Sequence, residues 1–249
     1  MLIILTLLIF ALAFIFSMLG LGGAMLYIPL FTWFGFDLKE VAIPTGLFLN
    51  SITALSAAIY YYRAKMIDIK GAAPMLITAI IGAPIGAHFT HLIPTEVLIT
   101  LFSFAMITAG SKMLYSASDK EPTSLLAFKK RAIITGTAGL FIGFTSGLLG
   151  TGGGFLFVPM MIAVGYPTKH AAATSAFIVL FSSFSGFLGH VAGGHFNWQV
   201  LIFCTIAVII GAQIGGKVMK EKMKARWIKQ IFGVLLIIVA IKFSWNIIF

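Results

Sequence analysis

The chain has 249 residues, 60% of them hydrophobic and 10% charged, with a formal net charge of +10 and one cysteine. So little polar surface cannot clothe a water-soluble globule, which excludes the soluble classes and leaves a bilayer as the solvent. Nor is the positive charge a nucleic-acid patch: 14 of the 17 basic residues lie in three short connections, 62–70, 112–131 and 217–229, with net charges of +2, +3 and +5, the pattern of cytoplasmic loops.

In chain order, the first apolar run covers 2–34 and is interrupted by Gly20-Leu-Gly-Gly23. Its Ala11-Leu-Ala13 resembles a cleavage site, but no basic segment precedes it, so the run reads as mature structure rather than a signal peptide. Runs at 42–61, 71–91 and 95–114 follow, each near the roughly 20 residues needed to cross a bilayer. After a linker at 117–130, a second interrupted run at 131–165 carries Gly150-Thr-Gly-Gly-Gly154, and runs at 171–191, 198–216 and 228–247 complete the chain. Cys204 lies inside one of these runs and reads as packing.

The second half copies the first. Ser17-Met-Leu-Gly-Leu-Gly-Gly-Ala-Met-Leu-Tyr-Ile-Pro29 returns as Gly147-Leu-Leu-Gly-Thr-Gly-Gly-Gly-Phe-Leu-Phe-Val-Pro159, and Ile80-Ile-Gly-Ala-Pro-Ile-Gly86 returns as Ile209-Ile-Gly-Ala-Gln-Ile-Gly215. The chain therefore divides into a first transmembrane repeat at 1–116, a cytoplasmic linker at 117–130 and a second repeat at 131–249. Duplicated halves with glycine interruptions inside apolar segments are the best sequence pointer to a transport site.

Charge placement predicts how the halves face. With the three basic connections inside, 88–96 and 189–198, which hold no Lys or Arg, fall outside. Run 171–191 must end outside at 189–198, so the 166–170 turn falls inside, which Lys169 and His170 fit; run 131–165 then enters and returns on one face, and by the same count 2–34 begins and ends outside. Each half then makes an odd number of crossings. The expected architecture is all-α: a polytopic membrane protein of two inverted-topology repeats, each a glycine-broken helical hairpin plus three transmembrane helices, with termini outside in an inner or plasma membrane. One tension remains: a first arm of about 18 residues is nearly long enough to cross, while a second of about 11 reaches halfway.

Glycine-rich breaks inside a bilayer need protein or a water-filled cavity to satisfy their backbone groups. Helices restarting at Ala24 and Phe155 would aim free N–H groups, and the positive end of the helix dipole, into such a cavity, which favours an anion. The candidate binding residues are Gly20, Gly22, Gly23 and Ala24 at the first break and Gly150, Gly152, Gly153 and Gly154 at the second. Thr45, Asn50 and Ser51 join them as hydrogen-bond donors, together with Thr174 and Ser175 in the second half; Ser175 corresponds to Thr45 and Thr174 to Pro44, while Leu180 and Phe181 stand opposite Asn50 and Ser51. Isolated pairs such as Gly82/Gly86 and Gly211/Gly215 read instead as close helix contacts.

No Asp, Glu, Lys or Arg falls in the middle of a span, which argues against cation transport. His88 and His91 flank one outside connection and His190 and His195 another, and with no acidic partner nearby they read as interfacial caps rather than metal ligands. No nucleophile, metal cluster or acid/base pair suggests an enzyme.

Together, the paired hairpins at Gly20 to Pro29 and Gly150 to Pro159, the segments Ala42-Ile-Pro-Thr45 and Ala172-Ala-Thr-Ser175, and the Gly-Ala-x-Ile-Gly repeats resemble the sulfite exporter TauE/SafE family of membrane transporters over essentially the whole chain. The resemblance implies a permease for sulfur-containing anions such as sulfite or organosulfonates, with its site between the hairpins. It implies a small anionic substrate and the lipid bilayer as partners, no nucleic acid, no cofactor, and leaves room for a homo-oligomer. The rival reading is a non-transporting membrane assembly or scaffold protein, which has no need of two polar breaks at membrane depth.

Overall fold

The computed structural model describes residues 1–90, 95–118, 121–122, 124–191 and 196–248. Within them the chain forms helices α1 (Leu2–Leu19), α2 (Ala24–Trp33), α3 (Ile43–Arg63), α4 (Ile69–Phe89), α5 (Thr95–Tyr115), α6 (Phe128–Leu149), α7 (Gly154–Ala163), α8 (Thr168–His190), α9 (Trp198–Glu221) and α10 (Ala225–Ile248). A π-helical turn at Leu38–Ala42 leads into α3 and a 3-10 turn at Ser116–Ser118 ends α5. Helices α1, α4, α6, α8, α9 and α3 with its π turn are each long and apolar enough to cross a membrane. The protein is all-α and polytopic, as the composition requires.

The second half repeats the element order of the first, and both short arms, α2 and α7, have 10 residues. Contacts also exchange between halves: α4 packs on α6 as α9 packs on α1, and α3 meets α9 as α8 meets α4. Small residues make the closest of these contacts. Gly139, Gly143 and Gly147 of α6 lie against the backbone of Met75, Ala79 and Ala83, while Gly82 and Gly86 of α4 face Leu140 and Phe144. Gly211 and Gly215 of α9 meet the backbone of Phe10 and Phe14 in the same way, so these glycine pairs serve close packing as their spacing suggests.

The residue pairs also fix helix directions. Phe10 with Gly211 and Phe14 with Gly215 make α1 parallel to α9, and Met75 with Gly139 and Ala83 with Gly147 make α4 parallel to α6. By contrast, helices that occupy equivalent places run antiparallel where they meet: α3 and α8 through Leu47 with Gly186 and Asn50 with Ser183, and α5 and α10 through Gly110 with Ile237 and Leu114 with Gly233. With 18 residues α1 extends about 27 Å and runs alongside α9, whereas α2 with 10 residues extends only about 15 Å. Helix α9 continues to Glu221, past the end of its apolar run, because a helix need not stop where the hydrocarbon does.

Candidate functional site

Both breaks start with the same backbone device. Helix α1 stops because Gly20 turns left-handed, with φ 71, and α6 stops because Gly150 does so, with φ 70. The next N–H then reaches back, Leu21 to the Phe16 carbonyl and Thr151 to the Ser146 carbonyl, both at 3.1 Å. Two residues on, Gly22 and Gly152 repeat the left-handed turn at φ 77 and 75, which is why the Gly-x-Gly spacing is duplicated.

At the third glycine the halves part. Gly23 is extended, with φ −164, whereas Gly153 stays left-handed, with φ 72. Asn50 of α3 marks the difference. Its side chain is fully buried, and its Oδ1 accepts the N–H of Ala24 at 2.8 Å and, closely, that of Gly23. Its Nδ2 donates to Ser183 Oγ on α8 at 2.6 Å. The carboxamide is held between Gly22 of the first break and Gly152 of the second; a Cβ on either glycine would collide with it. At the place equivalent to Asn50 stands Leu180, half-buried and apolar, so no second carboxamide answers it.

The two breaks meet. Gly154 lies against the backbone of Leu21, Gly20 against the backbone of Ala172, and Gly150 against Ile43. Every candidate residue from Gly20 to Ala24 and from Gly150 to Gly154 is buried. Two sequence expectations need correcting. The glycines of the helix starts do not face open space in this state, and a cavity of about 680 Å³ between α1, α2 and α10, which reaches the first turn of α2 at Met25 and Leu26, has apolar walls such as Val234 and Ile238. Nor are the α2 amides bare, because Asn50, expected to donate to a solute, instead accepts from them.

The remaining candidates divide. Ser175 Oγ donates to the Gly20 carbonyl at 3.0 Å, which ties α8 to the first break. Ser51 Oγ donates back to its own helix at the Leu47 carbonyl, 2.9 Å away, and Thr174 Oγ1 accepts the Asp68 N–H at 3.3 Å, so neither is directed at the breaks. Thr45 is buried on α3. His190 Nε2 lies 3.0 Å from the Gly147 carbonyl, joining the end of α8 to α6, and the ring of His88 meets Phe89 edge-on. His91 and His195 lie outside the described residues.

Sequence reasoning missed three members of the centre. Besides Ser183, Tyr27 Oη shares a 3.0 Å hydrogen bond with Thr53 Oγ1, fixing α2 on α3, and Thr53 Oγ1 also donates to the Leu49 carbonyl at 2.7 Å. The available signal was that Thr53 and Ser183, both hydroxyl residues, stand 130 positions apart, as the duplicated breaks do.

A second polar cluster links the basic connections to the helix ends. Asp68 caps α4, accepting the Gly71 N–H at 2.9 Å; its other oxygen accepts from Tyr166 Oη at 2.7 Å, with Arg131 Nη2 at 3.9 Å. Partial burial works to raise this carboxyl, but Tyr166, the Gly71 N–H, Arg131 and His170 together outweigh it and hold the group below its ordinary value. Burial, and after it the Asp68 carboxylate, push the Tyr166 phenol up. Beside it Glu121 of the linker accepts from both the N–H and the hydroxyl of Thr168, at 2.6 and 2.8 Å, and pairs with Lys229 at 3.4 Å.

A multi-pass helical bundle whose duplicated halves bring two broken helices together at its centre is the architecture of a membrane transporter. The chain belongs to the sulfite exporter TauE/SafE family, whose model matches residues 5–243. It is similar to the probable membrane transporter protein YunE of Bacillus subtilis, 29% identical over 94% of this chain and 93% of that one. It also resembles the probable membrane transporter protein y4hK of Sinorhizobium fredii, at 27% identity over 95% of both chains. A probable membrane transporter protein of Methanocaldococcus jannaschii is 26% identical over 81% of this chain and 80% of its own. No solved structure matches.

Proposed function

We propose that this transporter carries small sulfur-containing anions, sulfite or organosulfonates, by alternating access around the place where the two glycine breaks meet. Family membership supports the substrate class. The antiparallel pairings of α3 with α8 and of α5 with α10 support two inverted-topology repeats, with the basic connections cytoplasmic and the termini outside.

The observation that carries the reading is the Asn50 oxygen on the Gly23 and Ala24 amides. A helix start in the interior of a membrane protein attracts negative charge, and here a partly negative carbonyl oxygen from the chain itself occupies it. The packed centre is an occluded arrangement. Opening on either face separates the halves, strains the Asn50–Ser183 link and gives a solute's oxygens access to backbone N–H groups. Counterflow of radiolabelled sulfite, methanesulfonate and acetate in proteoliposomes tests this: saturable flux of the sulfur anions is expected, and its absence, or equal flux of acetate, defeats the assignment.

A further inference from the structure

The two helix starts are not equivalent. At α2 the amides of Gly23 and Ala24 are taken by Asn50. At α7, among the described residues, no side-chain oxygen accepts from Gly153 or Gly154, and the residue placed to do so, Leu180, is apolar.

The elements that meet at this second start, α6, the break itself and α8, carry buried hydroxyls with no hydrogen-bond partner. Thr151, 5% exposed, is in the break itself, between the two left-handed turns, and its Oγ1 is unpaired. Ser146, whose carbonyl receives the Thr151 N–H, is one turn back on α6 and its Oγ is unpaired too. On the facing helix α8, Ser182 is fully buried with Oγ unpaired, next to Ser183, which lies against Gly152. The equivalents of these residues in the first half are Phe16, Leu21 and Ile52, all apolar. A buried hydroxyl left without a partner destabilises a fold, and three of them on the elements of the second break, where the first break has apolar residues, call for a reason; the fourth such hydroxyl among the described residues, Ser103, is on α5.

We propose that the start of α7, with the hydroxyls of Thr151, Ser146 and Ser182, is the half-site that grips the substrate, and that it takes a singly charged oxyanion in preference to a doubly charged one. This rests on the transport reading given above. The hydroxyls and the backbone N–H groups are all donors available to an –SO₃ group. No cation stands among them, and a helix start supplies only about half a unit of positive charge. One negative charge is matched by these dipoles. A second would be buried without a counter-ion, which is costly in a medium of low dielectric.

The test uses methanesulfonate, which carries one charge at every relevant pH, and sulfite, which passes from a monoanion to a dianion near neutrality. In proteoliposomes of the whole chain, Thr151→Val and Ser182→Ala should each raise KM for methanesulfonate about tenfold, the loss of one charge-assisted hydrogen bond. Thermal stability without ligand should hold or rise, because an unsatisfied buried group has been removed, and the thermal shift produced by methanesulfonate should shrink. Thr137→Val, which removes an exposed hydroxyl already bonded to its own helix, is the control and should change neither. Wild-type sulfite flux should fall as pH rises through neutrality while methanesulfonate flux stays level.

KM within twofold of wild type in both variants overturns the proposal, as does a loss of thermal stability with unchanged KM. Sulfite flux that increases with the dianion overturns the charge preference. If wild type moves no anion but methanesulfonate still stabilises it in a Thr151-dependent way, the half-site stands and the transport reading fails; if it neither moves nor binds anions, both fail.

Discussion

Asp68 and Asn197 hold the same place in the two halves, and each starts a helix: Asp68 accepts the Gly71 N–H at 2.9 Å to begin α4, and Asn197 accepts the Val200 N–H at 3.2 Å to begin α9. Only the first is charged, and among the described residues only the first reaches further, to Tyr166 and Arg131 of the second half. The face that carries the basic connections is therefore fastened by a carboxylate.

That difference gives a pH dependence. The folded Asp68 carboxyl sits below its ordinary value, so its stabilisation is fully present above the unfolded pKa of about 3.9 and is lost as pH falls through the lower folded value. Asp68→Asn keeps the cap but drops the charge, and for a group this exposed the cost at neutral pH is about 1 kcal/mol or less. Thermal unfolding in detergent should show wild type above the variant at pH 7, with the gap closing below about pH 4. A gap that widens on acidification contradicts the assignment of the cluster.

Asn50→Asp leaves an oxygen to cap α2 but puts a full negative charge at the centre. At about 4 Å and an effective dielectric near 20, repulsion of a substrate anion is on the order of 4 kcal/mol, so flux should drop by at least about 100-fold with the fold retained. Flux assays beside a melting curve check both halves of the statement, and near-normal flux would place the substrate elsewhere.

Gly22 and Gly35 are both left-handed, φ 77 and 86, but a Cβ on Gly22 strikes the Asn50 carboxamide while one on Gly35 meets open space. Alanine at either site carries a left-handed strain of about 1–2 kcal/mol. Only Gly22→Ala should also abolish flux, with the protein still inserted in the membrane. Equal transport by the two variants would separate the Gly22 break from the substrate path; Gly153→Leu, at the second break, should behave as Gly22→Ala does.

Topology can be read with single cysteines and a membrane-impermeant thiol reagent in a Cys204→Ser background. Lys222→Cys, in the most basic connection, should react from the cytoplasmic side, and Leu38→Cys, between the first hairpin and α3, from the opposite side. Labelling of both from one side is incompatible with the returning hairpin.

Much of this architecture was legible in residue order. The spans, the two breaks and the duplication follow from hydropathy and from glycine spacing, because a bilayer admits few alternatives to a continuous apolar helix and allows unwound backbone only in protected places. Even the matched turns at Gly20 and Gly150 could be foreseen, since the motif demands left-handed backbone at the same steps.

What meets what at the centre was decided only by the tertiary structure. Asn50 lies 27 positions from the amide it caps and 133 from Ser183, and the rotation of each helix about its own axis settles which neighbour its side chain reaches. A span that is apolar nearly all round carries little information about that rotation. For the same reason residue order, which sets Leu180 opposite Asn50 and so makes the two starts unequal, suggested that Asn50 donates to a solute, whereas the tertiary structure turns its oxygen onto the amides of the first start.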